Sequence, residues 1–257
     1  ATTAAAAISV KVIAIKISPL IIKQVQDKEH NIKENDYYNK IYNDLKRLGY
    51  YHLGYNHFFE AFKPRFEAIL NLDSNLSQLF NRMTKQYRTK IRSAEANGIK
   101  IHRGNINNLD YLYLQTKSKY PRDLKFFQDA YQIFGAKDNI DFYYAKLDTT
   151  YFLTKTQESY AIAEQKSADI NNQVFQNIGQ NKLKLIDLKL VYDNLLDQSK
   201  KTLVSATNLV RDYPAGAVLA SALIIKNHDE IFLFMDGFDT TYKSFNAKHL
   251  LLWKILE

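Results

Sequence analysis

Five cations lie close together in the sequence between residues 82 and 92. The five are Arg82, Lys85, Arg88, Lys90 and Arg92. No acidic residue follows them until Glu95. Cationic side chains at this density can bind phosphates, although a solvated basic face on a helix remains an equally good explanation. The net charge of +8 favours an anionic partner, and nucleic acid, a phosphorylated substrate and an anionic membrane surface all fit that sign.

Several other kinds of chemistry lack the residues that they need. The chain contains no cysteine, which excludes disulfides and thiolate metal sites, and its six histidines show no His-x-x-x-His spacing. We therefore predict no metal site. The sequence also lacks a Gly-x-x-x-x-Gly-Lys loop and an Arg/Gln-x-x-Gly-x-Gly/Ala segment whose amides would hold the diphosphate of acetyl-CoA. No cofactor is predicted, and this absence argues against acetyl-CoA in particular.

The cations belong to a segment that is predicted to form a strand, a helix and a second strand. An apolar run over residues 66–72 indicates the first strand, and Asp73 and Ser74 offer side-chain oxygens that would cap the first free amides of a helix. Along that helix one apolar stripe recurs at spacings of three and four: Leu76, Leu79, Phe80, Met83, Tyr87, Ile91 and Ala94. The five cations lie on the face away from this stripe.

The end of the same segment carries a resemblance to a known family. Gly98 is placed to end the helix in a left-handed conformation, and Ile99 begins an alternating strand. The run Tyr87–Glu95 with Gly98–Ile101 resembles the R-x-N-I-R-x-A-E-x-x-G-v-x-v pattern of the Fem family, with Lys90 where the family usually has asparagine. That family consists of aminoacyl-tRNA-dependent transferases that add amino acids to the peptidoglycan stem peptide. The Pro-Arg-Phe at residues 64–66 matches the start of the family's second subdomain.

The resemblance implies an α/β fold of two acetyltransferase-like (GNAT) subdomains with an inserted antiparallel helical coiled-coil arm. It assigns residues 1–63 to a first, shortened subdomain, residues 64–148 and 213–257 to a second, and residues 149–212 to the arm. Hydrophobic periodicity predicts the remaining elements. Helices are expected over residues 36–48, 108–119, 126–134 and 246–256. Strands are expected over residues 4–17, 50–59, 140–147, 217–225 and 230–235. The final helix, NAKHLLLWKIL, resembles the family's n-x-L-l-W-x-x-I.

The arm is predicted from a change in composition after Asp148. From there to about Arg211 the chain has one glycine, Gly179, and no proline, which favours two helices that reverse near Gly179. The predicted apolar seam of the second helix is Leu185, Leu188, Tyr192, Leu195, Ser199, Thr202, Ala206 and Leu209. The first helix offers Tyr160, Ala163, Ile170, Val174 and Phe175. A structural spacer, a tRNA-contacting arm and a dimerisation element all remain open as its role.

The reaction implied by the resemblance is attack of a stem-peptide amine on an aminoacyl-tRNA ester. The acceptor is a lipid-linked or nucleotide-linked muropeptide, whose diphosphate calls for cations and tyrosine hydroxyls. By similarity to the family's diphosphate-binding stretch, we expect Arg122 and Tyr131 to bind it, with Lys125 as the substitute if the register shifts. Tyr131 also fits a place in the hydrophobic core of the protein, because it shares a predicted helix with Phe127 and Phe134. Arg88, Lys90 and Arg92 are expected to meet tRNA phosphates.

The catalytic residue, the location of the protein and the alternatives to transfer complete the prediction. The family's late reactive lysine falls after the last matched segment, so no catalytic residue is predicted. The sequence has no apolar run of about 18 residues and no basic leader at residues 1–10, so we expect a cytoplasmic protein, with peripheral association at the inner face of the membrane. Two alternatives are an N-acyltransferase acting on another amine and a non-catalytic basic coiled-coil RNA-binding protein. The sequence does not identify the transferred amino acid.

Overall fold

The chain divides into two compact units, residues 1–70 and residues 71–257. The structure is a computed structural model that describes residues 23–26, 30–52, 70, 72, 75–119, 122–136, 138–176, 181–227 and 230–257. The strands predicted over residues 4–17, 50–59 and 66–72, and the caps predicted at Asp73 and Ser74, lie wholly or largely outside these residues. Where the structure can be compared with the prediction, it is a mixed α/β fold as expected.

The described part of the first unit is a short hairpin followed by one helix. Strand β1 (Gln24–Gln26) pairs antiparallel with β2 (Ile32–Glu34), and α1 covers Asp36–Arg47. Asn35 caps α1 because its side-chain oxygen accepts a hydrogen bond from the Tyr37 amide at 3.0 Å. The helix predicted over residues 36–48 is therefore confirmed.

The single helix predicted over residues 76–94 is wrong, because the chain forms two helices there. Helix α2 covers Leu76–Arg82 and α3 covers Lys85–Ala96. Met83 and Thr84 between them are extended, with ψ near 150°. The break lets both helices turn apolar residues toward one core, which Leu79 of α2 and Ile91 of α3 share. Periodicity did not reveal it because the apolar spacing continues across the break.

A four-stranded antiparallel sheet in the order β3-β4-β5-β6 organises the second unit. The strands are β3 (Ile99–Gly104), β4 (Ile140–Leu147), β5 (Ala217–Asn227) and β6 (Glu230–Phe238). Gly98, which precedes β3, adopts a φ of +85°, as predicted for the residue that ends α3. The predictions for β4, β5 and β6 are confirmed, although β5 and β6 run two or three residues further than expected.

Each face of this sheet is covered by a different set of helices. Besides α2 and α3, three helices pack against the sheet: α4 (Leu109–Thr116), α5 (Leu124–Gly135) and α8 (Ala247–Leu256). A first core joins α2, α3 and α8 to one face and includes Ile91, Ala94, Ala145, Leu147, Leu250, Leu251 and Trp253. A second core joins α4 and α5 to the other face and consists of Leu109, Leu112, Phe127, Ile140, Phe142 and Leu223. Alternation along β4 explains the division, since successive side chains point to opposite faces.

Two long helices, α6 (Thr149–Gln176) and α7 (Asn181–Asp212), connect β4 to β5. They run antiparallel, because Thr149 at the start of α6 donates to the Tyr213 carbonyl after α7 at 2.9 Å. Midway along, Ser167 of α6 donates to the Asp193 carboxylate of α7 at 2.7 Å. The two predicted helices are therefore present, and Gly179, the predicted reversal, lies outside the described residues.

Three of the eight predicted seam positions of α7 are wrong by one residue. Leu185, Tyr192, Ser199, Ala206 and Leu209 are buried or half-buried as predicted, whereas Leu188, Leu195 and Thr202 are exposed. The half-buried positions in their place are Lys189, Leu196 and Leu203. On α6 the exposed member of the predicted set is Phe175. Neighbouring leucines such as Leu195 and Leu196 offer two apolar rows, and only packing against α6 selects one of them.

Candidate functional site

The predicted diphosphate-binding residue Arg122 lies just before α5. Asp123 caps this helix by accepting a hydrogen bond from the Phe126 amide at 2.9 Å, so Arg122 is the residue directly before the cap. The guanidinium carbon of Arg122 lies 4.8 Å from the centroid of the Phe126 ring. That ring in turn stacks on Phe234 of β6, with 6.0 Å between centroids. Arg122 is therefore positioned beside the edge strand of the sheet.

Lys125 is exposed one turn further along α5, and its charge is balanced within the helix. Its ammonium donates to both oxygens of Asp129, at 2.7 and 2.8 Å. This hydrogen bond raises the pKa of Lys125 above its ordinary value, and the negative charge of Asp129 adds to the effect. Lys125 is thus fully protonated at neutral pH but shares its donors with an acid four residues away.

Tyr131 lies on a different face of α5 from the two cations. It is half-buried and packs against the second core, four residues beyond the fully buried Phe127. Six residues separate it from Lys125, which corresponds to a rotation of about 240° around the helix. The structure therefore brings Arg122 and Lys125 to one end of α5 and leaves Tyr131 apart from them. Its role in binding stays a prediction.

The three predicted tRNA-contacting residues divide between two flanks of α3. Arg88 donates to the backbone carbonyl of Asn81 at 3.2 Å, and the Arg92 guanidinium lies 5.4 Å from the Phe80 ring centroid, so both face α2. Lys90 is rotated by about 200° from each of them and lies on the other flank. Its ammonium is 5.2 Å from the centroid of Tyr87. The predicted set is therefore not one continuous patch.

Lys90 lies with two residues of α8 in a group that we call the α3–α8 cluster: Lys90, Lys248 and His249. The Tyr87 ring connects the two helices, with its centroid 5.4 Å from that of His249. Burial lowers the pKa of His249, and the positive charges of Lys90 and Lys248 lower it further. Within the described residues, Nδ1 of His249 is buried without a hydrogen-bond partner.

The cluster extends across the edge of the sheet through Phe238 at the end of β6. The ammonium groups of Lys248 and Lys119 lie 5.6 and 5.3 Å from the centroid of this ring. One acid, Asp236, forms an ion pair with Lys248. Sequence reasoning missed Lys119, Lys248 and His249, because they are far apart in the chain and meet only through the packing of α4 and α8 around β6.

A cleft of about 660 Å³ lies beside the edge strand β3. Its lining residues are Glu95, Gly98, Ile99, Lys100, Ile101, His102, Asp148, Tyr151, Leu250 and Lys254. None of the six predicted site residues is among them. Across the part of the chain that the structure describes, no group of three or more His, Asp or Glu side chains is arranged to hold a metal ion. Within those residues there is also no helix long and apolar enough to cross a membrane.

Comparison with known proteins identifies the family. The sequence pattern of the FemAB family matches residues 6–257. The chain belongs to the FemAB family. This confirms the Fem resemblance that was predicted from the residues around α3 and β3.

Relatives with known names match this FemAB chain over most of its length. The Lipid II:glycine glycyltransferase of Staphylococcus haemolyticus (strain JCSC1435) is 21% identical over 223 residues, which are 83% of this chain and 52% of that protein. The Aminoacyltransferase FemA of Staphylococcus epidermidis is 20% identical over 256 residues, 94% of this chain and 59% of the relative. The chain thus spans between half and three fifths of the length of these relatives.

A solved structure shares the fold of this FemAB chain. The crystal structure of FemX superposes with a TM-score of 0.59 at 18% sequence identity. The match covers 86% of this chain and 56% of FemX. At this identity the likeness establishes the mixed α/β fold with its antiparallel sheet.

Proposed function

We propose that this protein transfers an amino acid from aminoacyl-tRNA to the stem peptide of a peptidoglycan precursor and so builds the interpeptide bridge. The observation that carries the proposal is the FemAB match across residues 6–257, together with relatives named for glycine transfer to lipid II and for aminoacyl transfer. Dependence on tRNA rests on the Fem resemblance of the α3 region. Use of this donor would place the protein in the cytoplasm, at the inner face of the membrane when the acceptor is lipid-linked.

The proposed reaction makes modest chemical demands on the protein. The amine nitrogen of the stem peptide attacks the ester carbonyl carbon, an amide bond forms, and the ester carbon–oxygen bond breaks. The ribose oxygen of the tRNA leaves and takes up the proton that the amine loses. Because the ester is already activated, the protein mainly needs to orient two anionic substrates and to stabilise the charge that develops on the carbonyl oxygen.

We assign the diphosphate of the acceptor to the start of α5. Arg122 presents a planar guanidinium that suits phosphate oxygens, and its position over Phe126 restricts the orientation of the fork. Lys125, three residues further on in the first turn of α5, adds a second positive charge. Tyr131, as a further diphosphate ligand, would require a substrate that reaches around the helix. The site suits lipid-linked and nucleotide-linked muropeptides alike, because both carry the diphosphate.

We assign the tRNA to α3 and its neighbours. Arg88 and Arg92 lie on one flank of this helix, and Lys90 lies on the other with Lys248. Cations on two flanks can follow a phosphate backbone that crosses the helix. Each phosphate contact would add to the salt dependence of tRNA binding.

The test is transfer of radiolabelled amino acid from a pool of charged tRNAs to lipid-linked and nucleotide-linked muropeptides. We expect label on the muropeptide, and the tRNA that donates it identifies the amino acid. Arg122→Ala should lower transfer without lowering tRNA affinity, whereas Arg88→Gln with Lys90→Gln and Arg92→Gln should lower tRNA affinity. Absence of label on both acceptors would contradict the proposal.

A second candidate is a non-catalytic RNA-binding protein. The net charge of +8 and the two long helices α6 and α7 favour it. Binding of tRNA at micromolar or lower concentration, with no transfer and no muropeptide binding, would support this candidate over the transferase.

A further inference from the structure

The outward face of α7 carries a row of exposed aliphatic side chains near the start of the helix. Leu183, Ile186 and Leu190 are 73%, 44% and 63% exposed. Their spacing of three and then four residues places them on one helix face, within about 60° of each other. We call these three side chains the α7 row. Their exposure is unusual, because large aliphatic residues at this spacing normally face a core.

The α7 row is separate from the packing between α6 and α7. The half-buried positions nearby on α7 are Leu185, Lys189, Tyr192 and Asp193, which lie on the side that meets α6. The centre of the row is rotated by about 100° from the centre of that side, and Ile186 is the member of the row nearest to α6. Further along α7 its face becomes polar, since Asn194, Asp197 and Lys201 occupy the equivalent positions. Val204, about five turns beyond Ile186 on the same face, is exposed but separated from the row by these polar residues, so the contiguous row is confined to the first turns of the helix.

This surface lies at the end of the helix pair that is remote from the sheet. Thr149 and Tyr213 join the opposite ends of α6 and α7 beside the sheet. Because α6 has 28 residues, its last turn lies roughly 40 Å away along the helix axis. Phe175, next to the end of α6, is 83% exposed. Among the described residues, the remote end therefore presents Phe175 and the α7 row, with Leu188 and Val191 exposed on other sides of the same turns.

Lysines border the α7 row on both sides. Lys182 and Lys184 are exposed and flank Leu183 in sequence, so their ammonium groups lie on either side of the apolar face. Two acids lie beside the row, Asp187 and Asp193, and Asp193 forms an ion pair with Lys189. An apolar stripe bordered by lysines is the arrangement of helices that lie in the interface of an anionic membrane, where the lysine stems reach the headgroups.

From this arrangement we propose that the remote end of α6 and α7 docks on an anionic lipid bilayer. The α7 row and Phe175 enter the boundary between headgroups and acyl chains, and Lys182 and Lys184 pair with lipid phosphates. A second copy of the chain is the less suitable occupant, because a stable protein interface engages about 20 residues or more on each side. The proposal is independent of the transferase function and locates the peripheral membrane association that the sequence had suggested.

Flotation with vesicles tests the docking directly. The whole chain is mixed with vesicles of phosphatidylglycerol and phosphatidylcholine, and with phosphatidylcholine alone. We expect binding to the anionic vesicles and at least tenfold weaker binding after Leu183→Ser, Ile186→Ser and Leu190→Ser are combined. A matched control combines Ile162→Ser and Val204→Ser, which remove exposed aliphatic residues elsewhere on the same helices and should leave binding unchanged. Lys182→Glu with Lys184→Glu should also weaken it, but Lys200→Glu with Lys201→Glu should not.

A fluorescent label distinguishes insertion from simple charge attraction. The chain has no cysteine, so Ile186→Cys creates a unique attachment point for a polarity-sensitive dye. The dye should shift to the blue on anionic vesicles, whereas the same dye on Val204→Cys should not. Circular dichroism should be the same for all variants, because every changed side chain is exposed. Equal vesicle binding by wild type and the triple serine variant would overturn the proposal. A dimer in sedimentation experiments that the same variant abolishes would also overturn it and assign the row to a second copy.

Discussion

The two cationic regions of the larger unit hold their charges in different ways. At the start of α5, Arg122 and Lys125 are neighbours in sequence, and Lys125 is balanced by Asp129 of the same helix. In the α3–α8 cluster, Lys90 and Lys248 come from different helices and are close enough to lower the pKa of His249 together. The first region is a local arrangement with a flat guanidinium. The second is a convergence of like charges that only the fold produces.

The difference suggests different ligands. A guanidinium that lies over an aromatic ring suits one compact diphosphate, because two parallel hydrogen bonds fix its orientation. Ammonium groups on two helices and at a sheet edge suit an extended polyanion, whose phosphates need charge but little angular precision. The start of α5 therefore suits the acceptor diphosphate, and the α3–α8 cluster suits tRNA, as proposed above.

The largest effect is expected at Arg122. Arg122→Ala should weaken binding of a nucleotide-linked muropeptide about 10- to 100-fold, the loss typical of hydrogen bonds to a charged group. Arg122→Lys should recover only part of this affinity, because the charge returns without the fork. Titration calorimetry measures both variants.

Lys125 provides the matched control for this experiment. Lys125→Ala should cost only about two- to threefold, since Asp129 already occupies its donors and exposed ion pairs contribute little. Asp129→Asn should make Lys125 more available and raise affinity slightly. An equal loss for Arg122→Ala and Lys125→Ala would contradict the expectation that Arg122 contributes more to diphosphate binding than Lys125.

A smaller effect is expected in the α3–α8 cluster. Lys90→Gln combined with Lys248→Gln should lower tRNA affinity several-fold at low salt. It should also reduce the slope of log affinity against log salt by about 1.5, since each phosphate contact contributes about 0.7–0.9. Filter binding at salt concentrations from about 50 to 200 mM measures the slope, because the affinity changes strongly with salt in this range.

Arg88→Gln with Arg92→Gln is the companion variant on the other flank of α3. These guanidinium groups contact Asn81 and Phe80, so part of their binding capacity is engaged within the protein. We expect a smaller change in slope than for the lysine pair. A larger change would show that the flank facing α2 carries the tRNA contacts and that the cluster with α8 does not.

The two regions also mark what the sequence alone could predict. Periodicity and end signals predicted α5, β4 and the turn at Gly98 closely, because local residues determine them. The break at Met83–Thr84 was missed, since its cause is the shared core of α2 and α3 rather than a local signal. The buried positions of α7 differ in part from the predicted seam, because the helix has two neighbouring apolar rows and packing against α6 buries only one of them.

The candidate sites follow the same rule. Arg122 and Lys125 could be named from sequence because they are three positions apart in a stretch that resembles the family's. Lys119 and Lys248 are 129 positions apart and meet at Phe238 only after β6 has paired with β5. Charge clusters that form across a sheet edge leave no pattern in the sequence, so they require the structure.

The smallest effect is expected in the pH dependence of stability, and it separates the two regions most cleanly. The pKa of His249 is lowered in the folded protein, so its contribution to stability is full above the unfolded-state value of about 6.5 and is lost as pH falls below it. His249→Phe keeps an aromatic ring beside Tyr87 but cannot be protonated. The stability lost between pH 7.5 and 5.5 should therefore be smaller in this variant than in wild type.

Lys90→Gln should reduce the loss partly, because one of the two repelling charges is gone, whereas Lys125→Gln should leave it unchanged. Urea unfolding at the two pH values measures the difference, and an identical loss in wild type and His249→Phe would mean that the cluster does not hold its histidine neutral.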